Sequence, residues 1–140
     1  MPSSRPRRSE PTDTFFLDRG LGRRHVAEAV TAAGYRVVLM SDVFENDGQH
    51  VGDDQWIRFV ANEGWIALTK DASIISAHTE TLESTSIRLF ALPNSNLTGP
   101  QMAERFSANL HRIVQRARKP GPYVYVVQSR GIERRWPPPS

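Results

Sequence analysis

The chain has 140 residues, 39% of them hydrophobic and 24% charged, with a formal net charge of +3. That length holds one domain around one core, and the composition is that of an ordinary soluble globular protein. No apolar run approaches the roughly 20 residues of a membrane span, and the absence of cysteine excludes disulfides and thiolate metal sites.

Residues 1–12 are rich in Pro, Ser and Arg and are expected to form a disordered basic tail. The start is polar, without the apolar segment of a secretory signal, so the cytoplasm is the expected location. The domain itself is expected over residues 13–133, with a loose tail over residues 134–140. A first strand is predicted over residues 14–17 and ends at Asp18. Gly20-Leu21-Gly22 turns the chain into a helix over residues 23–33, with Val26, Ala29, Val30 and Ala33 at i, i+3, i+4, i+7. A second strand covers residues 35–40. Residues 41–52, which carry Asp42, Glu45 and Asp47, show no period and read as a loop. A helix over residues 53–62 is expected to bury Trp56, Ile57, Val60 and Phe59, and Asp53 and Asp54 at its start suit the helix dipole.

The third strand, residues 65–69, is the plainest. Trp65-Ile66-Ala67-Leu68 is a continuous apolar run that stops at Thr69-Lys70-Asp71, as a buried parallel strand does where the backbone leaves the sheet. Asp71 opens a short helix through Ile74 and Ile75, and residues 78–86 read equally as helix or loop. A fourth strand covers residues 87–92. Thr98-Gly99-Pro100-Gln101 forms a capping box ahead of the longest helix, to about residue 118. The fifth strand covers residues 123–127. Strands alternating with helices imply right-handed βαβ units and a three-layer α/β/α domain with a mostly parallel central sheet.

In such sheets ligands bind at the carboxyl ends of the strands. Asp18, Asp53 and Asp71 all fall at that edge. No P-loop, no G-x-S-x-G elbow and no complete G-x-G-x-x-G follows a strand. The histidines His25, His50, His78 and His111 lack metal-ligand spacing and read as surface residues. Crowded carboxylates repel one another, and a divalent cation such as Mg²⁺ or Mn²⁺, which prefers hard oxygen ligands, relieves that repulsion. A bound ion also acidifies its water and stabilises charge on an attacked phosphate. Asp18, Asp53 and Asp71 are therefore the candidate metal ligands and catalytic acids. Asp54, Glu45 and Asp47 are candidates for a further acid. Thr69 is placed to contact water or phosphate, and Lys70, Arg19, Arg23 and Arg24 to hold RNA phosphates. Each Asp taken alone is equally what a helix N-cap or a turn requires.

The stretches F-F-L-D-R-G-L-G at residues 15–22, D-D-Q-W-I at 53–57 and G-W-I-A-L-T-K-D at 64–71 resemble the PIN-domain family, and within it the compact branch related to VapC toxins. L-P-N-S-N-L-T-G at 92–99 and P-G-P-Y-V-Y at 120–125 extend the resemblance, which spans residues 14–133. It implies a Mg²⁺- or Mn²⁺-dependent endoribonuclease that leaves a 3′-hydroxyl and a 5′-phosphate. Asp18, Asp53 and Asp71 would be its acids. It also implies a homodimer and a neutralising antitoxin partner. The family's usual fourth acid is missing, since Ala72, Ser73, Ile74 and Ile75 follow Asp71. A catalytically weak module that binds RNA or protein is the alternative reading.

Overall fold

Apolar runs with both faces covered become interior strands. The computed structural model describes residues 13–93 and 96–138, so the expected basic tail lies outside the described residues. Its strands are β1 (Thr14–Leu17), β2 (Arg36–Leu39), β3 (Ile66–Thr69), β4 (Arg88–Ala91), β5 (Tyr123–Gln128) and β6 (Gly131–Trp136). They lie in the order β2-β1-β3-β4-β5-β6, the first five parallel and β6 antiparallel to β5. The helices are α1 (His25–Ala32), α2 (Met40–Val43), α3 (Asp53–Glu63), α4 (Ile74–Ala77), α5 (Thr79–Glu83) and α6 (Gly99–Arg116). This is the expected three-layer α/β/α arrangement.

Side chains alternate across each strand and fill two cores. Phe15 and Leu17 of β1 pack with Val26 and Val30 of α1 and with Phe106 and Ile113 of α6. Phe16, between them in sequence, faces the other way, onto Trp56, Ile57 and Val60 of α3 and Leu82 of α5. Phe16 and Trp56 stack with ring centroids 5.5 Å apart, both fully buried. The capping box ahead of α6 is present: Thr98 N–H donates to Gln101 Oε1 at 2.8 Å, and Thr98 Oγ1 accepts from Gln101 N–H at 3.3 Å. Gly64 stops α3 in the left-handed region at φ 77°.

Two expectations are corrected. Residues 41–52 are not all loop, because α2 and a 3-10 turn over Glu45–Gly48 occupy much of the stretch. Local hydrogen bonds hold them, such as Leu39 N–H donating to Asp42 Oδ2 at 2.7 Å, and such short pieces have no room for an apolar period. Residues 134–136 are not loose, since they complete β6, joined to β5 by a two-residue turn at Ser129-Arg130 with Gln128 paired to Gly131. An edge strand whose middle residues are exposed carries little apolar signal, which is why this one reads as a tail. The ambiguous stretch 78–86 contains α5.

One side chain ties the layers together. Arg88, at the start of β4, donates Nη1 to the carbonyl of Ala117 at the end of α6, and Nη2 to the carbonyl of Gly64 at the end of α3. The two helices lie on opposite faces of the sheet, and a cation is favoured at both C-termini. Arg88→Met is expected to lower stability by about 2 kcal/mol, the range of hydrogen bonds to a charged group. A lowered urea midpoint with an unchanged slope would show it.

Candidate active site

The connection from β1 to β2 runs over one face of the sheet through α1, and that from β2 to β3 over the other through α3. The strand order therefore reverses beside β1, which opens a crevice at the carboxyl ends of β1 and β3. Leu17 pairs with Leu68, and the next residue, Asp18, donates its backbone N–H to Leu68 O at 3.0 Å. The same register brings the buried Thr69 hydroxyl to Asp18, where it donates to Oδ2 at 2.7 Å.

A cleft of about 440 Å³ lies here, lined by Asp18, Arg19 and Gly20 after β1, by Gly48 and Gln49, and by Asp53 at the start of α3. Burial raises the Asp18 carboxyl above its ordinary value. The negative charge of Asp53 adds to the rise, while the Thr69 hydroxyl and the backbone N–H groups of Gly20 and Arg19 oppose it. Asp53 is fixed from two sides. Its Oδ1 accepts from the indole Nε1–H of buried Trp56 at 2.8 Å, and its Oδ2 lies 3.2 Å from Nε2 of His78. The other ring nitrogen of His78, Nδ1, lies 2.8 Å from Asp54 Oδ1, which also accepts from the Thr81 hydroxyl. Those bonds, Thr81 first and then His78, hold the Asp54 carboxyl below its ordinary value.

The structure thus brings Asp18, Asp53 and Thr69 into one site and sets Asp54 just outside it. Asp71 stands at the same sheet edge but spends Oδ1 on the backbone N–H of Ser73, at 2.9 Å. Its Oδ2 has no partner among the described residues. Among the described residues no three His, Asp or Glu side chains are close enough together to hold a metal ion. Lys70 packs against Gly20 beside the cleft and Arg19 lines it, whereas Arg23 and Arg24 are exposed in the turn before α1. Glu45 is exposed, and the Asp47 side chain lies outside the described structure. The donor set still suits Mg²⁺ or Mn²⁺. Both carboxylates in the cleft are hard oxygen donors, one is raised by burial, and these ions commonly use one or two carboxylates together with waters.

Sequence reading missed His78 and the second role of Trp56. Trp56 carried a signal, because a buried indole N–H needs an acceptor and Asp53 lies three residues before it on one helix face. His78 carried none, being far in sequence from the acids it joins.

A family model described as a PIN like domain matches residues 14–94, which span β1 to β4 and every residue of the cleft. The chain belongs to the PIN-like domain family. This PIN-like chain is also 38% identical over 125 residues to a Mycobacterium tuberculosis (strain ATCC 25618 / H37Rv) protein named "Putative ribonuclease VapC45". The match covers 87% of this chain and 91% of the relative. No solved structure matches it. Among the described residues, no helix of the PIN-like fold is long and apolar enough to cross a membrane.

Because its Asp18 carboxyl is raised, the folded domain holds that proton to higher pH than the unfolded chain does. Stability then falls as pH rises from the ordinary value of 3.8 through the raised one, and ionised Asp18 is a net cost at neutral pH. Asn keeps the acceptor for Thr69 without the charge. Asp18→Asn is expected to melt a few degrees above the wild type at neutral pH without divalent ions. The gap should narrow as pH falls, followed by circular dichroism.

Proposed function

We propose that the protein is a metal-dependent endoribonuclease and the toxin half of a toxin–antitoxin pair. The observation that carries this reading is the pair Asp18 and Asp53 facing one cleft at the switch point of a PIN-like sheet. The ribonuclease name of a relative that matches along most of both chains supports it.

In this reading Asp18 and Asp53 would hold Mg²⁺ or Mn²⁺, with the Asp71 carboxylate at the same sheet edge. The ion supplies an acidified water and charge stabilisation at the phosphate. Thr69 keeps the Asp18 carboxylate aimed into the cleft. Trp56 and His78 do the same for Asp53, each meeting one of its oxygens. Arg19 and Lys70 flank the cleft and pair with the phosphates on either side of the cut, and Arg23 and Arg24 extend that track. Hydrolysis would join the water oxygen to phosphorus and break the bond from phosphorus to the 3′-oxygen, which takes up the proton lost by the water, leaving a 3′-hydroxyl and a 5′-phosphate. The domain works in the cytoplasm as a homodimer, and a cognate antitoxin silences it by covering the cleft.

A binding module that has lost catalysis is the second reading, favoured by the lack of a preformed group of three acids among the described residues. One assay separates them. Purified protein is incubated with end-labelled mixed RNA, with and without Mn²⁺. Mn²⁺-dependent cleavage is expected, abolished by EDTA and reduced at least 100-fold in both Asp18→Asn and Asp53→Asn. His78→Asn should lose about 10- to 100-fold, the usual effect of removing a partner that orients a metal ligand. Mn²⁺ should raise the melting temperature of the wild type and not of Asp18→Asn. RNA binding without cleavage in any metal would favour the binding module.

A further inference from the structure

Charge is unevenly spread along this chain. Residues 112–136 carry seven Arg or Lys and one carboxylate, Glu133, whereas the whole chain carries only +3. The remainder is therefore net acidic, and the cationic part is gathered near the chain's end.

The fold turns that part back on itself. The last turns of α6 and the start of β6 enclose a groove of about 460 Å³, lined by Arg112, Gln115, Arg116, Lys119, Gly131 and Ile132. Arg112 and Arg116 are one helical turn apart on the same face, and Lys119 continues the row past the helix end. No carboxylate lines the groove, and none of the three cations is ion-paired with a described carboxylate.

Cations near a helix C-terminus often serve only to satisfy its last carbonyls. Here that task is already taken. The Tyr123 hydroxyl lies 3.0 Å from Arg116 O and 2.9 Å from Lys119 O, and Arg88 takes Ala117 O. The groove cations are held in place by other means. The Arg116 guanidinium sits 5.2 Å from the centre of the Tyr125 ring. Arg112 donates to Asn109 Oδ1 at 3.1 Å, and buried Asn109 donates in turn to Gln128 O at 2.8 Å. The charges of Arg112 and Arg116 are therefore held in fixed positions beside the groove, and Lys119 adds a third.

We propose that this groove binds the phosphate backbone of single-stranded RNA away from the cleavage cleft. The proposal rests on the ribonuclease reading for the identity of the polyanion. Three cations with a single apolar side chain, Ile132, suit phosphates better than a protein partner, which needs an apolar centre. Gly131 stands opposite Gln128 at the carboxyl end of β5, the sheet edge that also carries the cleft. β6 lies four places from β1, about 19 Å at a strand spacing near 4.8 Å. From that edge the groove runs toward the opposite one, since Tyr123, which meets Lys119, is the first residue of β5.

The test is a titration of fluorescent mixed-sequence single-stranded RNA with full-length protein in EDTA, over a range of salt. For Arg112→Gln/Arg116→Gln/Lys119→Gln, affinity at 0.1 M salt should fall at least tenfold. The slope of log K against log salt should shrink by about 2, near 0.7 per lost phosphate contact. The charge-keeping variant Arg112→Lys/Arg116→Lys/Lys119→Arg should bind like the wild type. An unchanged slope in the triple Gln variant, an equal loss in the charge-keeping one, or no RNA binding by the wild type overturns the proposal. Groove-dependent binding without any cleavage would remove the ribonuclease reading and leave the groove. Cleavage that needs Asp18, with binding indifferent to the three cations, would do the reverse.

Discussion

Everything at the site depends on β1 and β3 being parallel neighbours in one register. With Leu17 opposite Leu68, the backbone of Asp18 is pinned to β3 and its carboxylate meets the Thr69 hydroxyl. A slip of one residue would turn Phe15 and Leu17 toward α3 and Phe16 toward α1, inverting both cores. The hydrophobic pattern that builds the two layers thus also fixes the position of the acid. α3 is then fixed by Trp56, whose ring stacks on Phe16 while its N–H holds Asp53. One indole joins the core to the cleft.

The electrostatic plan follows from what such a cleft must do. Burial first, and then the neighbouring charge of Asp53, raise the Asp18 carboxyl, and a bound cation would offset both. Cations set directly among the acids would relieve the repulsion permanently and remove the reason to bind a metal. This fold places Arg19 in the cleft wall and Lys70 beside it, and sets a further cationic row of Arg112, Arg116 and Lys119 at the end of α6. The cationic row and the acidic pair are thereby set apart in the fold.

The strands legible to within a residue are those with continuous apolar runs, including the half-buried β2. β1 was readable to the residue, and β3 nearly so, because Ile66, Ala67 and Leu68 have no exposed side to interrupt the run. Asp18 and Asp53 were readable because they stand where an apolar pattern stops or a helix starts. What escaped was held by single hydrogen bonds rather than by periodicity. α2 and the following 3-10 turn are of this kind, as is the bridge from His78 to Asp53 and Asp54. Asp71 shows the other limit. Its position at the sheet edge was legible, but its bond to Ser73 depends on a local turn that residue types leave undetermined.

The hairpin return of β6 has a consequence for how this chain survives its own synthesis. Tyr123-Val124-Tyr125-Val126-Val127 is an uncharged β-branched and aromatic run, the composition that adds strands to any open neighbour. Without β6 it would form the outer edge of the sheet. The strand that covers it exposes Glu133, Arg134 and Arg135 and passes at once into Pro137 and Pro138. Charged side chains along an edge resist burial against a second copy, and proline offers no N–H to receive one. A segment with the look of a tail therefore closes the sheet, keeping the most adhesive stretch of the protein from other copies of itself.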